Sequence, residues 1–282
     1  MRKLFSFVLT VALLFLSSSI SIAIMQGKEA HEKYLYPIVR ITTGNSGGSG
    51  TIVYSRPEEG KVSTYILTNY HVIADIVKVE EKWDSSLGKN VQVERRGIVY
   101  VEVFKYRDLG VPVGTMRVES DLVVYNEPHD LAVLKLRLVE QMSHVALLPK
   151  KEDANYHLFD ETLAVGCSLL FPPIATPGII TRKNHQIDSL PYHMSTSQII
   201  YGSSGGAMFL AKTGELIGIP SRVPVIGWGT IPITHMGLFI PIDRIYKWLE
   251  KENYDFLFDP AKSEKKSLEL REERIKKAKE NK

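Results

Sequence analysis

The sequence predicts an all-β protein of sandwich or barrel type. Three observations carry that reading. Short runs rich in β-branched and aromatic residues recur along the body of the chain, separated by glycine, proline, asparagine and serine turns. No long helical pattern alternates with them, which argues against a parallel α/β sheet. Apolar residues make up 44% and charged residues 24% of the 282, so a sizeable core is available.

The first strand is Ile38 to Ile41. Gly44 to Gly50 is a glycine-rich turn into Thr51 to Tyr54. Pro57-Glu58-Glu59-Gly60 turns the chain and Ser63 to Thr68 returns, which makes a hairpin. Ile76 to Arg117 is the most charged part of the body and reads as a long loop with an inserted hairpin, although Gly97 to Phe104 is β-like. Further β-like runs are Leu122 to Tyr125, Leu131 to Leu136, Thr162 to Gly166, Gly178 to Thr181 and Tyr192 to Thr196. Ala207 to Leu210, Glu215 to Ile219 and Gly237 to Pro241 complete the set. Asp243 is placed to cap a helix that carries Ile245, Trp248 and Leu249. Residues 259–282 are highly charged, with a thin stripe of Leu268, Leu270 and Ile275, and read as a solvated helix or frayed tail.

The N-terminus has its own character. Arg2 and Lys3 precede an apolar run from Phe7 to Leu16, and Ser21-Ile22-Ala23 offers small residues where a signal peptidase reads. Residues 1–23 are expected to be a signal peptide for export, secreted or periplasmic. The alternative is an uncleaved anchor from Leu4 to Ile24 that would tether the protein to a membrane. The net charge of +3 falls once Arg2 and Lys3 are removed, so charge gives no reason to expect a nucleic-acid partner. The one cysteine, Cys167, excludes an internal disulfide and is expected to be a small packed residue.

Three short motifs carry chemistry. Thr68-Asn69-Tyr70-His71-Val72 comes first, His129-Asp130-Leu131-Ala132-Val133 second, and Gly202-Ser203-Ser204-Gly205-Gly206 third. A serine hydroxyl is a poor nucleophile at neutral pH. It needs a base beside it, and the base needs an acid to fix its tautomer. Ser204 is the candidate nucleophile, His71 the base and Asp130 the orienting acid. Gly202 and Ser204 are the candidate oxyanion donors through their backbone N–H groups. Each motif alone has an ordinary reading: a Gly/Ser turn, a structural histidine, a strand cap. The three together, in this order and at this spacing, point to acyl transfer.

With these residues the chain resembles trypsin-like serine proteases of the HtrA/Deg kind. The resemblance rests on the three motifs and on Gly48-Ser49-Gly50, Ala164-Val165-Gly166, Thr176 to Thr181 and Phe239-Ile240-Pro241-Ile242-Asp243, over roughly residues 33–250, and implies a protease domain at 33–258. It implies two six-stranded antiparallel β-barrels of chymotrypsin-like form with a short C-terminal helix. His71 and Asp130 would come from the first barrel and Ser204 from the second. It implies a serine endopeptidase acting on protein or peptide substrates, with no cofactor. It also implies that the pocket for the residue before the scissile bond is built from the residues before Ser204, with Gln198 near its base, and from the strand Gly218-Ile219-Pro220-Ser221. No acidic residue lies between Ser195 and Ser204, so the expected preference is a small or medium apolar residue. Pro220 lacks an N–H and would remove one strand-type contact with substrate.

The sequence departs from the family pattern. Ser203 stands where asparagine is usual, the segment between His71 and Asp130 is long, and no PDZ-like segment is recognisable after the last barrel motif. The expectation is simple proteolysis rather than a regulated chaperone-protease. No Ile-Val-Gly-Gly start is present, so zymogen activation of the trypsinogen type is not expected.

Rival readings fare worse. Gly44-Asn45-Ser46-Gly47-Gly48 is a closer match to the nucleophile string, but Ser46 precedes both His71 and Asp130 and reads as a turn. An α/β-hydrolase needs serine, acid and histidine in that order, and no helix pattern directly follows Ser204. The histidines do not form a convincing metal-ligand set. The alternative that stays open is a catalytically silent or latent protease-like module that binds peptides.

Overall fold

Among the described residues, twelve strands close into two six-stranded antiparallel barrels, and the site lies where the barrels meet. The computed structural model describes residues 25–85, 88–152, 154–228 and 231–280. The signal or anchor expectation falls on residues 1–24 and lies outside them.

The first barrel contains β1 (Ile38–Thr42), β2 (Gly47–Glu58), β3 (Lys61–Thr68), β6 (Val99–Arg107), β7 (Val111–Asn126) and β8 (Leu131–Leu136). They close in the order β1-β2-β3-β8-β7-β6. Strand alternation sends successive side chains to opposite faces. On β8, Ala132, Leu134 and Leu136 fill this barrel, while Leu131 and Val133 join the cluster shared with the second barrel. Ile66 against Tyr65 and Leu67 on β3 divides the same way. Both faces of these strands are buried, so their sequences read as nearly unbroken apolar runs.

The second barrel contains β9 (Glu161–Gly166), β10 (Ile174–Ile187), β11 (Leu190–Ser195), β12 (Ala207–Leu210), β13 (Leu216–Arg222) and β16 (Gly237–Pro241). Their order is β10-β11-β16-β13-β12-β9. A small hairpin, β14 (Val225–Ile226) with β15 (Ile231–Pro232), projects beyond β13.

The block from Ile76 to Arg117 corrects the sequence expectation in part. The inserted hairpin is there, as β4 (Val77–Asp84) with β5 (Lys89–Arg96). The stretch after it is not loop: β6 and β7 are paired barrel strands that run past the barrel as a second hairpin. These extensions are exposed on both faces, so their charge hid their strand character.

Helix α1 (Ile242–Lys251) buries Ile242, Ile245, Trp248 and Leu249 against the second barrel. Its N-cap is Pro241 with no side-chain cap. Asp243 instead lies in the first turn, where a negative charge still suits the helix dipole. Residues 264–280 form a second helix, α2 (Glu264–Glu280). Its first residue is buried and bound to the first barrel. Among the described residues, no helix is long and apolar enough to cross a membrane.

Candidate active site

Asp130 is held in an uncommon backbone conformation, with φ +55°, at the turn between β7 and β8. An aspartate tolerates this left-handed region better than most residues. Its own N–H donates to Glu127 O at 3.0 Å, and its carbonyl accepts from Asn69 Nδ2 at 2.9 Å. The carboxylate is thereby aimed at His71, which sits on a helical turn just after β3.

His71 Nδ1 lies 2.9 Å from both carboxylate oxygens, and the His71 backbone N–H donates to Oδ1 at 3.0 Å. In the neutral ring Nδ1 thus carries the proton and Nε2 the free lone pair. Ser221 Oγ donates to the other carboxylate oxygen at 2.6 Å. Burial by itself would raise the Asp130 pKa. The hydrogen bonds and charge of His71, with the Ser221 hydroxyl, outweigh it, and the carboxyl lies below its ordinary value of 3.8.

Ser204 and His71 line one cavity of about 350 Å³, with Ile199, Ile200, Tyr201, Ser221, Arg222, Val223 and Val225. The exposed surface of the walls is mostly apolar, and Arg222 is turned towards Asp188 at 3.4 Å.

The loop under Ser204 is tied down on several sides. Gly202 has φ +90°, and Ser203 N–H donates to Ile200 O at 2.9 Å, so residues 200–203 form a turn that favours glycine at its third position. The Tyr201 carbonyl accepts from Leu169 N–H at 2.7 Å. In a planar trans peptide the Gly202 N–H must then point away from Leu169. Among the described residues, neither Gly202 N–H nor Ser204 N–H has a protein acceptor. Ser49 on β2 pins the loop to the first barrel: its N–H donates to Ser204 O at 2.8 Å and its hydroxyl to Gly202 O at 2.6 Å. Gly205, with φ +81°, lets the backbone pass so closely that an added Cβ would lie 2.2 Å from Ser49 O. Ser203, in place of the usual asparagine, bonds Ser168 Oγ at 2.9 Å and accepts from Ile200 N–H at 3.2 Å.

Residues 48–219 match the trypsin-like peptidase domain family, more than half of the chain. The chain belongs to that family. The match spans His71, Asp130 and Ser204. Among solved structures, the chain is similar to the HtrA-type protease AlgW in two structures with a tripeptide, one of a variant at 21% identity and one at 22%. In each the TM-score is 0.56, and the likeness covers 82% of this chain and 64% of the AlgW chain. The chain thus aligns with less than two thirds of those structures, and at this identity the likeness is one of fold. No curated protein sequence matches the chain.

In this member of the trypsin-like peptidase domain family, Ser221 of the expected strand and Ile199, Ile200 and Tyr201 before Ser204 line the cavity, while Gln198, Gly218, Ile219 and Pro220 do not. Gly218 and Ile219 are buried inside the second barrel, paired with Pro241 and Ile240 on β16. Pro220 is buried too, and its carbonyl accepts from Gly205 N–H at 3.1 Å. From Ser221 the wall beside Ser204 continues through Arg222, Val223 and Val225, and β13 shifts register between Pro220 and Arg222. Gln198 lies outside this cavity. It lines a narrower crevice with Thr176 and Ser203, and its carbonyl accepts from Thr176 Oγ1 at 2.7 Å.

The sequence reading gave Ser221 no part in holding Asp130. Its only local signal is a serine at the end of an apolar strand, where a buried hydroxyl needs a partner. Ser46 sits in the β1–β2 turn, held through Thr43, whose hydroxyl donates to Asp75 at 2.7 Å. Cys167 is fully buried, and burial pushes its thiol up to about 12, so it stays protonated. Among the described residues, no cluster of histidine, cysteine, aspartate and glutamate could hold a metal ion.

Proposed function

We propose that this peptidase is a serine endopeptidase that works through Ser204, His71 and Asp130. The observation that carries the reading is the shared cavity: Ser204 and His71 line it, with Asp130 bonded to the far nitrogen of the ring. Ser204 Oγ attacks the peptide carbonyl carbon, and His71 Nε2 takes the hydroxyl proton. The imidazolium that forms is stabilised by Asp130. His71 then returns the proton to the leaving amine, and water hydrolyses the acyl-enzyme by the same steps in reverse. The free N–H groups of Gly202 and Ser204 are the donors for the oxyanion, and the turn at 200–203 supports an oxyanion loop formed before substrate arrives.

The aliphatic walls at Ile199, Ile200, Val223 and Val225 favour substrates with an apolar residue before the scissile bond. A charged side chain there would lose hydration without a partner. The N-terminal segment supports export, either with cleavage or with retention as a tether.

Fluorophosphonate labelling of the full chain tests the reading, with Ser204→Ala and Ser46→Ala as controls. Labelling lost only in Ser204→Ala is the expected result. An unlabelled wild-type protein would favour the silent peptide-binding module instead.

A further inference from the structure

Arg244 is a buried cation without an acidic partner. It sits in the first turn of α1 and is 5% exposed. Among the described residues, no carboxylate pairs with it. A buried charge is costly unless paired or richly hydrogen-bonded, and an apolar residue on this face of α1 would fold more readily. The local contacts show what the guanidinium holds instead.

Its Nη2 donates to His129 O at 2.8 Å and its Nη1 to Pro191 O at 3.2 Å. Its Nε lies 3.4 Å from His129 Nδ1, and its Cζ lies 4.8 Å from the Tyr192 ring centre. One rigid fork therefore joins β11 of the second barrel to the turn that carries Asp130 in the first. The carbonyl it grips belongs to the peptide immediately before Asp130. The N–H of that same peptide is held by Glu127 O at 3.0 Å. Both ends of the plane that sets the Asp130 φ of +55° are thus fixed, one of them from the opposite barrel. Ser221 crosses the same gap to the carboxylate itself. Burial, with the charge of Arg244 next, lowers the His129 pKa and keeps that ring neutral beside the guanidinium.

We infer that Arg244 is a positioning residue for Asp130, registering the acid–base pair of the first barrel against the barrel that bears Ser204. It touches neither substrate nor the reacting atoms. The inference rests on the proposed triad and adds to it a group 115 residues away along the chain from the turn it holds.

The test uses the full chain as wild type, Arg244→Met, Arg244→Lys and Trp248→Phe. Thermal melts, fluorophosphonate inactivation rates and peptide kcat and KM are read for each. Arg244→Met removes the buried charge at similar volume and should stay folded. Its kcat should fall by about 100-fold with little change in KM, as for a displaced catalytic group. Arg244→Lys, which still reaches His129 O, should recover part of the loss. Trp248→Phe perturbs the same helix and should lower the melting temperature without that loss of kcat. A folded Arg244→Met with wild-type kcat overturns the assignment. So does a Trp248→Phe variant that loses as much kcat, because the effect is then one of helix packing. A wild-type protein that fluorophosphonate does not label sinks the hydrolase reading itself, and the assignment with it.

Discussion

The Glu264 carboxylate, at the start of the C-terminal helix, accepts a 2.7 Å hydrogen bond from the Tyr65 hydroxyl inside the first barrel. The same oxygen receives Ser63 Oγ at 2.9 Å and Lys135 Nζ at 2.8 Å. Tyr65 and Lys135 face each other across β3 and β8, the strands that lead into His71 and out of Asp130. The charged C-terminal stretch is therefore fastened to the strand pair behind the site. Glu264→Ala leaves two buried hydroxyls without an acceptor, and a loss of about 2 kcal/mol is expected. For a chain of this size that lowers the melting temperature by roughly 4–8 °C. Glu264→Gln keeps an accepting oxygen and should lose less. Calorimetry on the three proteins decides it, and an unchanged melt in Glu264→Ala would refute the anchoring role.

Gly202 is the second test. A Cβ there would lie 2.5 Å from Cys167 O and 2.8 Å from Leu169 N, and φ is +90°. Gly202→Ala should flip or distort the turn that frees the Gly202 N–H. The expected effect on the fluorophosphonate rate is a fall of about 10²- to 10³-fold, the usual consequence of losing one oxyanion donor. Rates equal to wild type would remove this N–H from the oxyanion site.

The site was legible in the sequence where its chemistry is packed into short strings. His71, Asp130 and Ser204 each stand in such a string, and the order of the strings carried the reading. The β-rich body was legible because apolar runs between turns survive any detail of pairing. The rest depends on contacts between distant segments. Ser221 meets Asp130 across 91 residues, and Glu264 meets Tyr65 across 199. No local pattern announces such partners. Of the strand 218–221 expected at the pocket, Ser221 alone reaches the cavity, and which residue of a strand does so depends on its pairing. The outer ends of β6 and β7 looked like loop because neither face is buried there.

Asp130→Asn tests the pair at the centre of the site. An amide can no longer hold Nδ1 protonated, and kcat should fall by roughly four orders of magnitude. Stability should respond as well. The Asp130 carboxyl is lowered from 3.8 in the folded protein, so its contribution is full above that value and is lost as pH falls through the lower, folded pKa. The Asn variant should lack this part of the acid limb in a denaturation series carried below about pH 4. Turnover close to wild type would remove Asp130 from the mechanism.

His193 predicts a second, separable pH effect. It is 5% exposed in the second barrel, with Nδ1 2.9 Å from the Tyr156 hydroxyl and Nε2 3.3 Å from Asn184 Oδ1. Burial pushes the Tyr156 pKa up, so its hydroxyl stays a donor to Nδ1, and the neutral ring then donates from Nε2. Burial, with the charge of Lys183, pushes the His193 pKa down from 6.5 to about 4. The unfolded chain binds a proton in that window and the folded one does not. The stability His193 contributes is therefore full above pH 6.5 and declines as pH falls towards about 4, below which both states are protonated. Urea midpoints measured from pH 7.5 down to 4.5 should drop in the wild-type protein and drop less in His193→Gln, whose amide does not titrate. Parallel curves would mean that His193 is not the group that sets this slope.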